Sequence, residues 1–391
     1  YKIVVVDGIG VRSIEKPSVG KYTYSATYKG TDKISRAVDT GVFEVMPVDY
    51  NVILNAPDVK MIYHDGTRFT ATLTDEKGNP IRDAAIEITI NGRSYDKITD
   101  EKGSVSLGLN LDSGIYSVVV KFKGLPNYSP ITKHANVTIE PTVKGLDVVK
   151  MFRNSTQYYA IFTDSPGNFL KNKNVQFNIN GVFYTKTTND KGIAMMGINL
   201  NPGKYVITVI NLVTGEQSSN IITVKSLIVQ KDLTKYYLNA SRFEATIYNK
   251  DGSLAVNKEV TFNINGVFYH RTTDSNGVAS LGISLRPGEY IITTMFDGLA
   301  IGNKVSVLPT LVTKNLNMKY LDGSSFTAQT LDGQGKPLAN QNVSFNVNGV
   351  FYYKVTDNNG MAKLNIRLMP GEYIITSCWN NFQTGNTIKI E

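Results

Sequence analysis

A motif of glycine, any residue and tyrosine recurs five times along the 391 residues of this chain. The copies begin at Gly20, Gly114, Gly203, Gly288 and Gly371, so successive tyrosines are 94, 89, 85 and 83 residues apart. Such a period is too long for a solenoid repeat and close to the length of a small β-sandwich. The chain is therefore predicted to be a tandem array of small domains.

The last repeat shows the pattern of one unit. It is predicted to open with a strand at Asn317–Tyr320. Residues 343–348 alternate apolar and polar side chains, which indicates a strand with one buried face. Asn348-Gly349 follows, a strong signal for a two-residue hairpin, and Val350–Val355 is predicted to pair back. With the later strands, the unit contains about seven short strands and no helical period, which predicts an immunoglobulin-like sandwich.

The predicted fold class is all-β, a tandem array of immunoglobulin-like β-sandwich domains. The repeats place a partial unit, with late strands only, at residues 1–47 and complete domains at 48–141, 142–226, 227–309 and 310–391. Short joints between the domains favour an extended rod. Because residue 1 matches the middle of a unit, we expect a fragment whose targeting and anchoring segments lie outside it.

Composition argues against several classes of function. The single cysteine, Cys378, excludes an internal disulfide bond. The net charge of +8 is spread along the chain without a run of five basic residues, so nucleic-acid binding is not expected. His64, His134 and His270 lie at unrelated positions, so we predict no metal site. No nucleophile elbow, phosphate-binding loop or pair of catalytic carboxylates is present, and neither an enzyme nor a cofactor is expected.

Two stretches of one repeat carry a recognisable pattern. Residues 262–269 read Phe-Asn-Ile-Asn-Gly-Val-Phe-Tyr, and residues 286–293 read Arg-Pro-Gly-Glu-Tyr-Ile-Ile-Thr. This pattern resembles the Ig-like repeats of the large adhesin-like surface proteins of methanogenic archaea. The resemblance is close over residues 142–391 and looser over 48–141, where Asn-Gly-Arg-Ser-Tyr at 91–95 replaces Asn-Gly-Val-Phe-Tyr. It implies a secreted, extracellular protein of the cell surface that carries N-linked glycans.

Five asparagines begin an Asn-x-Ser/Thr sequon, the acceptor pattern for these glycans. Asn154 and Asn239 lie at the same predicted turn of successive units, and the others are Asn127, Asn136 and Asn342. We expect glycans on Asn154 and Asn239 before Asn136, because the first two lie in a turn and Asn136 lies in a predicted strand. Asn127 and Asn342 are further candidate sites.

A lysine falls in the first predicted strand of every complete unit, at Lys60, Lys150, Lys235 and Lys319, and three units carry an asparagine in the last strand. This pairing suggests a second modification. In Ig-like pilins and adhesins such a pair can form an isopeptide bond, which needs a lysine neutralised by burial and a nearby acid. No carboxylate recurs in the central strand, so a simpler interpretation stays open, in which the lysine stem covers apolar surface and the asparagine bonds a loop. In the first complete unit Asn136 faces away from the core, so Lys60 is expected to stay free. The candidate pairs are Lys150–Asn220, Lys235–Asn303 and Lys319–Asn386.

A repeat array without a catalytic motif favours a non-enzymatic, adhesin-like rod that mediates attachment or projects a binding tip. Its expected partners are polysaccharides or proteins on the surface or wall of another cell. An alternative is a structural subunit of a surface filament or envelope that self-assembles by strand complementation, since the partial unit would expose unpaired strand edges. A third hypothesis is a stalk for an enzyme encoded elsewhere in the full gene. Any membrane anchor is expected outside this sequence.

Overall fold

The computed structural model describes residues 2–15, 17–46 and 50–391. Within these ranges all regular secondary-structure elements are β-strands, and no helix long and apolar enough to cross a membrane is present. The all-β prediction is confirmed. The chain divides into two compact units, Tyr1–Leu146 with Tyr159–Met196 and Ile207–Ser219, and Asp147–Tyr158 with Gly197–Val206 and Asn220–Glu391.

The first ten strands belong to the first unit. They are β1 (Gly20–Tyr28), β2 (Ala37–Val45), β3 (Val52–Asn55), β4 (Val59–Ile62), β5 (Arg68–Asp75), β6 (Ala85–Ile90), β7 (Arg93–Ile98), β8 (Ser104–Gly108), β9 (Gly114–Phe122) and β10 (Ile131–Glu140). β1 and β2 form an antiparallel pair. β3–β10, here called the first strand set, form a five-stranded sheet in the order β4-β10-β9-β6-β7 and a three-stranded sheet in the order β3-β5-β8.

Alternation along the strands explains why these two sheets pack face to face. In β6 the side chains of Ile86, Ile88 and Ile90 are buried, while the residues between them are half-buried on the outward face. Residues from both sheets join in one apolar core. The turn after β6 is Asn91-Gly92, and both residues have positive φ, as a two-residue hairpin with the twist of the strands requires.

The second strand set follows at residues 143–225. Its strands are β11 (Val143–Gly145), β12 (Val148–Met151), β13 (Gln157–Phe162), β14 (Asn174–Ile179), β15 (Val182–Thr187), β16 (Ile193–Gly197), β17 (Gly203–Ile210) and β18 (Gln217–Lys225). Within the first unit β11 pairs with β13, and β14 pairs with both β15 and β17. Within the second unit β12 runs parallel to β18. These pairings repeat those of the first set.

The remaining strands lie in the second unit and form two more sets. The third set comprises β19 (Ile228–Gln230), β20 (Leu233–Tyr236), β21 (Arg242–Ile247), β22 (Glu259–Ile264), β23 (Val267–Thr272), β24 (Val278–Gly282), β25 (Gly288–Phe296) and β26 (Leu299–Leu308). The fourth comprises β27 (Leu311–Thr313), β28 (Leu316–Met318), β29 (Ser325–Thr330), β30 (Asn342–Val347), β31 (Val350–Val355), β32 (Met361–Asn365), β33 (Gly371–Trp379) and β34 (Phe382–Ile390). Each set builds a five-stranded and a three-stranded sheet in the order of the first set.

The predicted number of seven strands is wrong, because each set has eight. In the fourth set, Leu311–Thr313 joins the three-stranded sheet, and the chain then crosses to the five-stranded sheet at Leu316–Met318. A strand of three residues is too short to show alternation, so the sequence pattern missed the first and placed the opening strand too late, at Asn317–Tyr320. The predicted domain boundaries stay predictions, and the one at residue 47 lies outside the described residues.

The tyrosine of the recurring motif anchors the loop before it. Tyr116 Oη donates to the backbone oxygen of Asp112 at 2.8 Å, and Tyr373 Oη donates to that of Met369 at 2.9 Å. This bond to the preceding loop gives the tyrosine of the motif a structural role. The tyrosines are half-buried.

Candidate functional site

A polar side chain just before the first strand of each five-stranded sheet ties it to the last strand of the same set. Asp232, before β20, accepts hydrogen bonds in β26 from Lys304 N at 2.9 Å and from Asn303 Nδ2 at 2.7 Å. We call this arrangement the strand clamp. The corresponding backbone bonds of the other sets are Asn136 N to Asp58 Oδ1 (2.7 Å), Ile221 N to Asp147 Oδ1 (2.8 Å) and Thr387 N to Asn315 Oδ1 (3.0 Å).

The three asparagines predicted as crosslinking residues belong to this clamp. Their amide nitrogens donate to the clamp residue of their own set. Their amide oxygens accept a further bond: Asn220 from Tyr158 Oη (2.7 Å), Asn303 from Gln230 Nε2 (2.8 Å) and Asn386 from Thr313 Oγ1 (2.6 Å). Both polar groups of each side chain are therefore used in holding strands together, which explains why an amide recurs there.

Acid is expected to weaken the clamp of the third set. The bonds from Lys304 N and Asn303 Nδ2 hold the pKa of Asp232 below its usual range. Because the folded pKa is depressed, the stabilisation is present above pH of about 3.9, the value for an unfolded chain, and is lost as pH falls through the folded pKa. We expect the substitution Asp232→Asn to remove this acid dependence. Hydrogen exchange of β20 and β26 measures it between about pH 5 and about pH 2.5, a range that spans the titration.

The fourth set provides a control for that experiment, because its clamp residue is Asn315, which does not titrate in this range. The protection of β28 and β34 should therefore change less with pH than that of β20 and β26. An Asp232→Asn variant whose third set keeps the full acid dependence of the unsubstituted protein would contradict the assignment.

The lysines divide into two kinds. Lys150 and Lys235 are buried, and burial lowers the pKa of both. Lys235 Nζ donates to the backbone oxygens of Ile283 (2.7 Å) and Ser241 (3.2 Å). Lys150 Nζ bonds backbone oxygens in the same way, including that of Ile198 at 2.9 Å. These contacts satisfy the ammonium group without a carboxylate.

The other two lysines, Lys60 and Lys319, differ from these in burial. Lys60 is exposed and forms an ion pair with Glu140 at 2.9 Å, and Lys319 is exposed beyond the end of β28. In these two sets the buried side chain is a methionine: Met61 follows Lys60, and Met318 precedes Lys319. A shift of one residue along a strand reverses the face on which a side chain lies.

The structure does not bring the lysines and asparagines of the proposed crosslinks together. In the parallel ladders Lys150 is opposite Val224 and Lys235 is opposite Val307, four residues beyond Asn220 and Asn303. Four residues of strand correspond to about 13 Å. The intact mass of the denatured protein should therefore equal the mass calculated from the sequence, and the loss of one ammonia per bond would show that isopeptides form.

The sequon asparagines Asn154 and Asn239 make matching contacts within the second unit. Asn154 Nδ2 donates to Lys250 O at 2.7 Å, and Asn239 Nδ2 donates to Gly333 O at 2.6 Å. In both cases the acceptor lies in a turn of the next set: Lys250 follows β21, and Gly333 follows β29. An N-linked glycan replaces one hydrogen of this same amide nitrogen, so its first sugar must fit beside the turn that the nitrogen contacts.

Glycosylation of Asn154 and Asn239 thus has a structural cost that the sequence did not reveal. Asn127 and Asn342 are exposed, and their amide nitrogens have no hydrogen bond to the residues the structure describes. After secretion from a host with N-glycosylation, we expect glycans on Asn127 and Asn342 and bare Asn154 and Asn239. Glycopeptide mass spectrometry measures the occupancy of all four sites. Glycans on Asn154 and Asn239 beside bare Asn127 and Asn342 would show that the turn contacts do not hinder glycosylation.

A buried polar cluster in the first unit was not predicted. Glu216 Oε2 accepts from Thr142 Oγ1 at 2.6 Å, and Asn211 Nδ2 donates to Thr163 O at 2.8 Å. These side chains connect the residue before β11 with the turn that precedes β18. No pattern in the sequence marks the cluster, because Thr142 and Glu216 are far apart along the chain. Among the described residues no group of three histidine, cysteine, aspartate or glutamate side chains could hold a metal ion.

Comparison with known proteins gives distant similarity only. No family profile matches the chain. The inverse autotransporter adhesin YeeJ of Escherichia coli K12 is 21% identical over 417 residues, which cover 89% of this chain and 17% of the adhesin. The chain thus spans less than a fifth of the length of that curated relative.

Two solved structures are also similar. One is a Ca²⁺-stabilised adhesin with which an Antarctic bacterium binds ice, at 15% identity, a TM-score of 0.19, and coverage of 88% of this chain and all of that one. The other is a tandem of titin domains, at 15% identity, a TM-score of 0.26, and coverage of 63% of this chain and 98% of that one.

Proposed function

We propose that this chain is the repeat region of a non-enzymatic, extracellular adhesin that attaches to another surface and carries tension. The observation that supports this proposal is a parallel pairing of strands that recurs in every set. In each of the four sets, the first strand of the five-stranded sheet is hydrogen-bonded parallel to the last strand. A pull between the two ends of a set therefore loads the whole ladder in shear, so that its bonds must break together. The similarity to a bacterial adhesin supports the same function.

The expected partner is a polysaccharide or protein on the surface of another cell. Beads coated with the full chain test the function directly, because attachment is the activity itself. We expect such beads to be retained under flow on layers of cells or cell-wall polysaccharide, and beads coated with an unrelated β-sandwich protein of similar charge to pass. Equal loss of both kinds of bead from every surface would contradict the proposal.

A second candidate function is assembly by strand complementation between chains. It is motivated by the first hairpin, since among the described residues β1 and β2 pair only with each other, whereas β9 and β10 also pair with β6 and β4. Val38 and Val42 of β2 are exposed. The molar mass of the native particle in solution distinguishes the two functions. Strand exchange requires an oligomer whose mass grows with concentration, whereas an adhesive monomer keeps a constant mass.

A further inference from the structure

Three strand sets present an exposed phenylalanine at the same place. Phe183, Phe268 and Phe351 are the second residues of β15, β23 and β31, the strands that follow the Asn-Gly hairpin turns. Their exposed fractions are 58%, 59% and 58%. Apolar rings are rarely left this open without a reason when the same exposure recurs from repeat to repeat.

Each phenylalanine heads a row of side chains that crosses the outward face of the five-stranded sheet. Phe268 is directly opposite Asn263 in β22, which is directly opposite Thr293 in β25. We call this a Phe-Asn-Thr row. The other two rows are Phe183, Asn178 and Thr208, and Phe351, Asn346 and Thr376.

The rows face away from the core. Phe262 and Ile264, on either side of Asn263 in β22, are buried, so the asparagine between them is directed outward. In the third and fourth sets the next residue across the sheet is a glycine, Gly302 or Gly385. These rows therefore run from a large apolar ring on the edge strand to a residue without a side chain three strands away.

The first set lacks the row and serves as an internal control. Its equivalent residues are Ser94, Thr89 and Val119, in the same cross-strand register. Ser94 and Thr89 bond each other at 2.8 Å, and no aromatic side chain is present in this row. The difference is therefore a difference in surface chemistry on an otherwise equivalent sheet.

The chemistry of the row fits a neutral sugar ring. A pyranose with equatorial hydroxyls has an apolar C–H face, which an aromatic ring covers, and a rim of hydroxyl groups. The asparagine amide both donates and accepts hydrogen bonds, and the threonine hydroxyl does the same. None of the three side chains ionises near neutral pH. The basic residues of the same strands, Lys186, Arg271 and Lys354, lie an odd number of residues from the phenylalanines and thus on the opposite face.

We infer that each Phe-Asn-Thr row is a subsite for one pyranose unit of a neutral polysaccharide, with one subsite in each of the second, third and fourth strand sets. The inference rests on the proposed adhesive function and names the chemical class of its ligand. One aromatic contact contributes about 1 kcal/mol, so a single row binds weakly. A polymer that reaches several rows gains affinity from multivalency, because each further contact is intramolecular.

Affinity electrophoresis of the full chain through gels that contain a soluble β-1,4-linked glucan tests this inference. We expect the neutral glucan to retard the chain and an equal mass of polygalacturonate to do so less at physiological salt. The triple variant F183A/F268A/F351A should raise the apparent Kd at least about tenfold, the equivalent of losing about 1.4 kcal/mol of binding. The rings are exposed, so its thermal unfolding should match that of the unsubstituted chain.

The valines one residue earlier supply a matched control. Val182, Val267 and Val350 are exposed to a similar degree but lie on the opposite face of the same strands. The V182A/V267A/V350A variant should keep its Kd within about twofold, since it leaves the rows intact. Equal loss in both variants would overturn the subsites and indicate instead that a partner pairs with the free strand edge, which uses both faces.

A gain-of-function variant removes the remaining ambiguity. T89N/S94F/V119T installs the missing row in the first set, and we expect stronger retardation by the neutral glucan. The inference is overturned if the neutral glucan does not retard the unsubstituted chain, or if the phenylalanine variant is retarded equally. The bead experiment distinguishes the two proposals. If the adhesive function is wrong, the coated beads are not retained on any surface. If only the subsites are wrong, the beads adhere equally with and without the phenylalanines.

Discussion

Replacing Phe262 with alanine is expected to lower the free energy of unfolding of the third strand set by about 4 kcal/mol. Phe262 is fully buried in β22, and its ring meets Phe243 of the facing sheet edge-on, with centroids 5.9 Å apart. Truncation leaves a cavity between the two sheets that the rigid ladders on either side cannot close. Hydrogen exchange of β22 and β25 should accelerate about a thousandfold, since each 1.4 kcal/mol is a factor of ten.

Phe268, six residues later in the same hairpin, is the matched control. It has the same chemistry but is 59% exposed on the outward face. Phe268→Ala should change the free energy of unfolding by no more than about 0.5 kcal/mol. If the two substitutions destabilise the third set equally, the assignment of Phe262 to the core and Phe268 to the surface is incorrect.

The sequence predicted the parts of this fold that depend on local chemistry. Alternation over residues 343–348 predicted the strand with one buried face, in which Phe345 is buried, and Asn348-Gly349 predicted the hairpin that follows. These signals need only a few neighbouring residues. The tyrosine of the recurring motif bonds four residues back, which is again local. The eighth strand was missed because three residues contain too little alternation to detect.

The strand clamp and the turn contacts could not be predicted in the same way. Asp232 meets Asn303, and Asn239 meets Gly333, only because the strands between them fold back. The sequon at Asn239 also has a local structural explanation, because its Oδ1 accepts a hydrogen bond from Ser241 N at 2.7 Å. Such a turn uses the same Asn-x-Ser/Thr spacing as a glycosylation site, so the pattern alone does not separate the two.

The difference in burial among the four lysines of the predicted first strands arises from strand register. Aligning Lys60 and Lys319 with the buried Lys150 and Lys235 required a shift of only one residue. On a strand that shift exchanges the inside for the outside, and methionine occupies the buried place instead. The sequences around the buried and the exposed lysines are nearly the same, so only the structure distinguishes the two kinds.

Replacing Gly360 with alanine is expected to destabilise the fourth strand set by about 3 kcal/mol, from backbone strain and steric overlap together. Gly360 ends the turn before β32 with φ of +70°, a region that side chains disfavour. A Cβ there would lie 2.5 Å from Thr330 O and 3.0 Å from Leu338 N. Gly360 also accepts a hydrogen bond from Thr330 N at 2.8 Å, so the backbone cannot move away without losing a bond.

The hairpin glycine Gly349 separates strain from overlap. Its φ is +83°, but a Cβ there would meet open space. Gly349→Ala should therefore cost only about 1 kcal/mol, the strain alone. Chemical denaturation followed through Trp379, which lies in the same strand set, measures both variants. Equal destabilisation would mean that the turn at Gly360 relaxes freely. The larger loss at Gly360 would show that this turn is fixed against the strand it bonds, as its recurrence at the same place in each set implies.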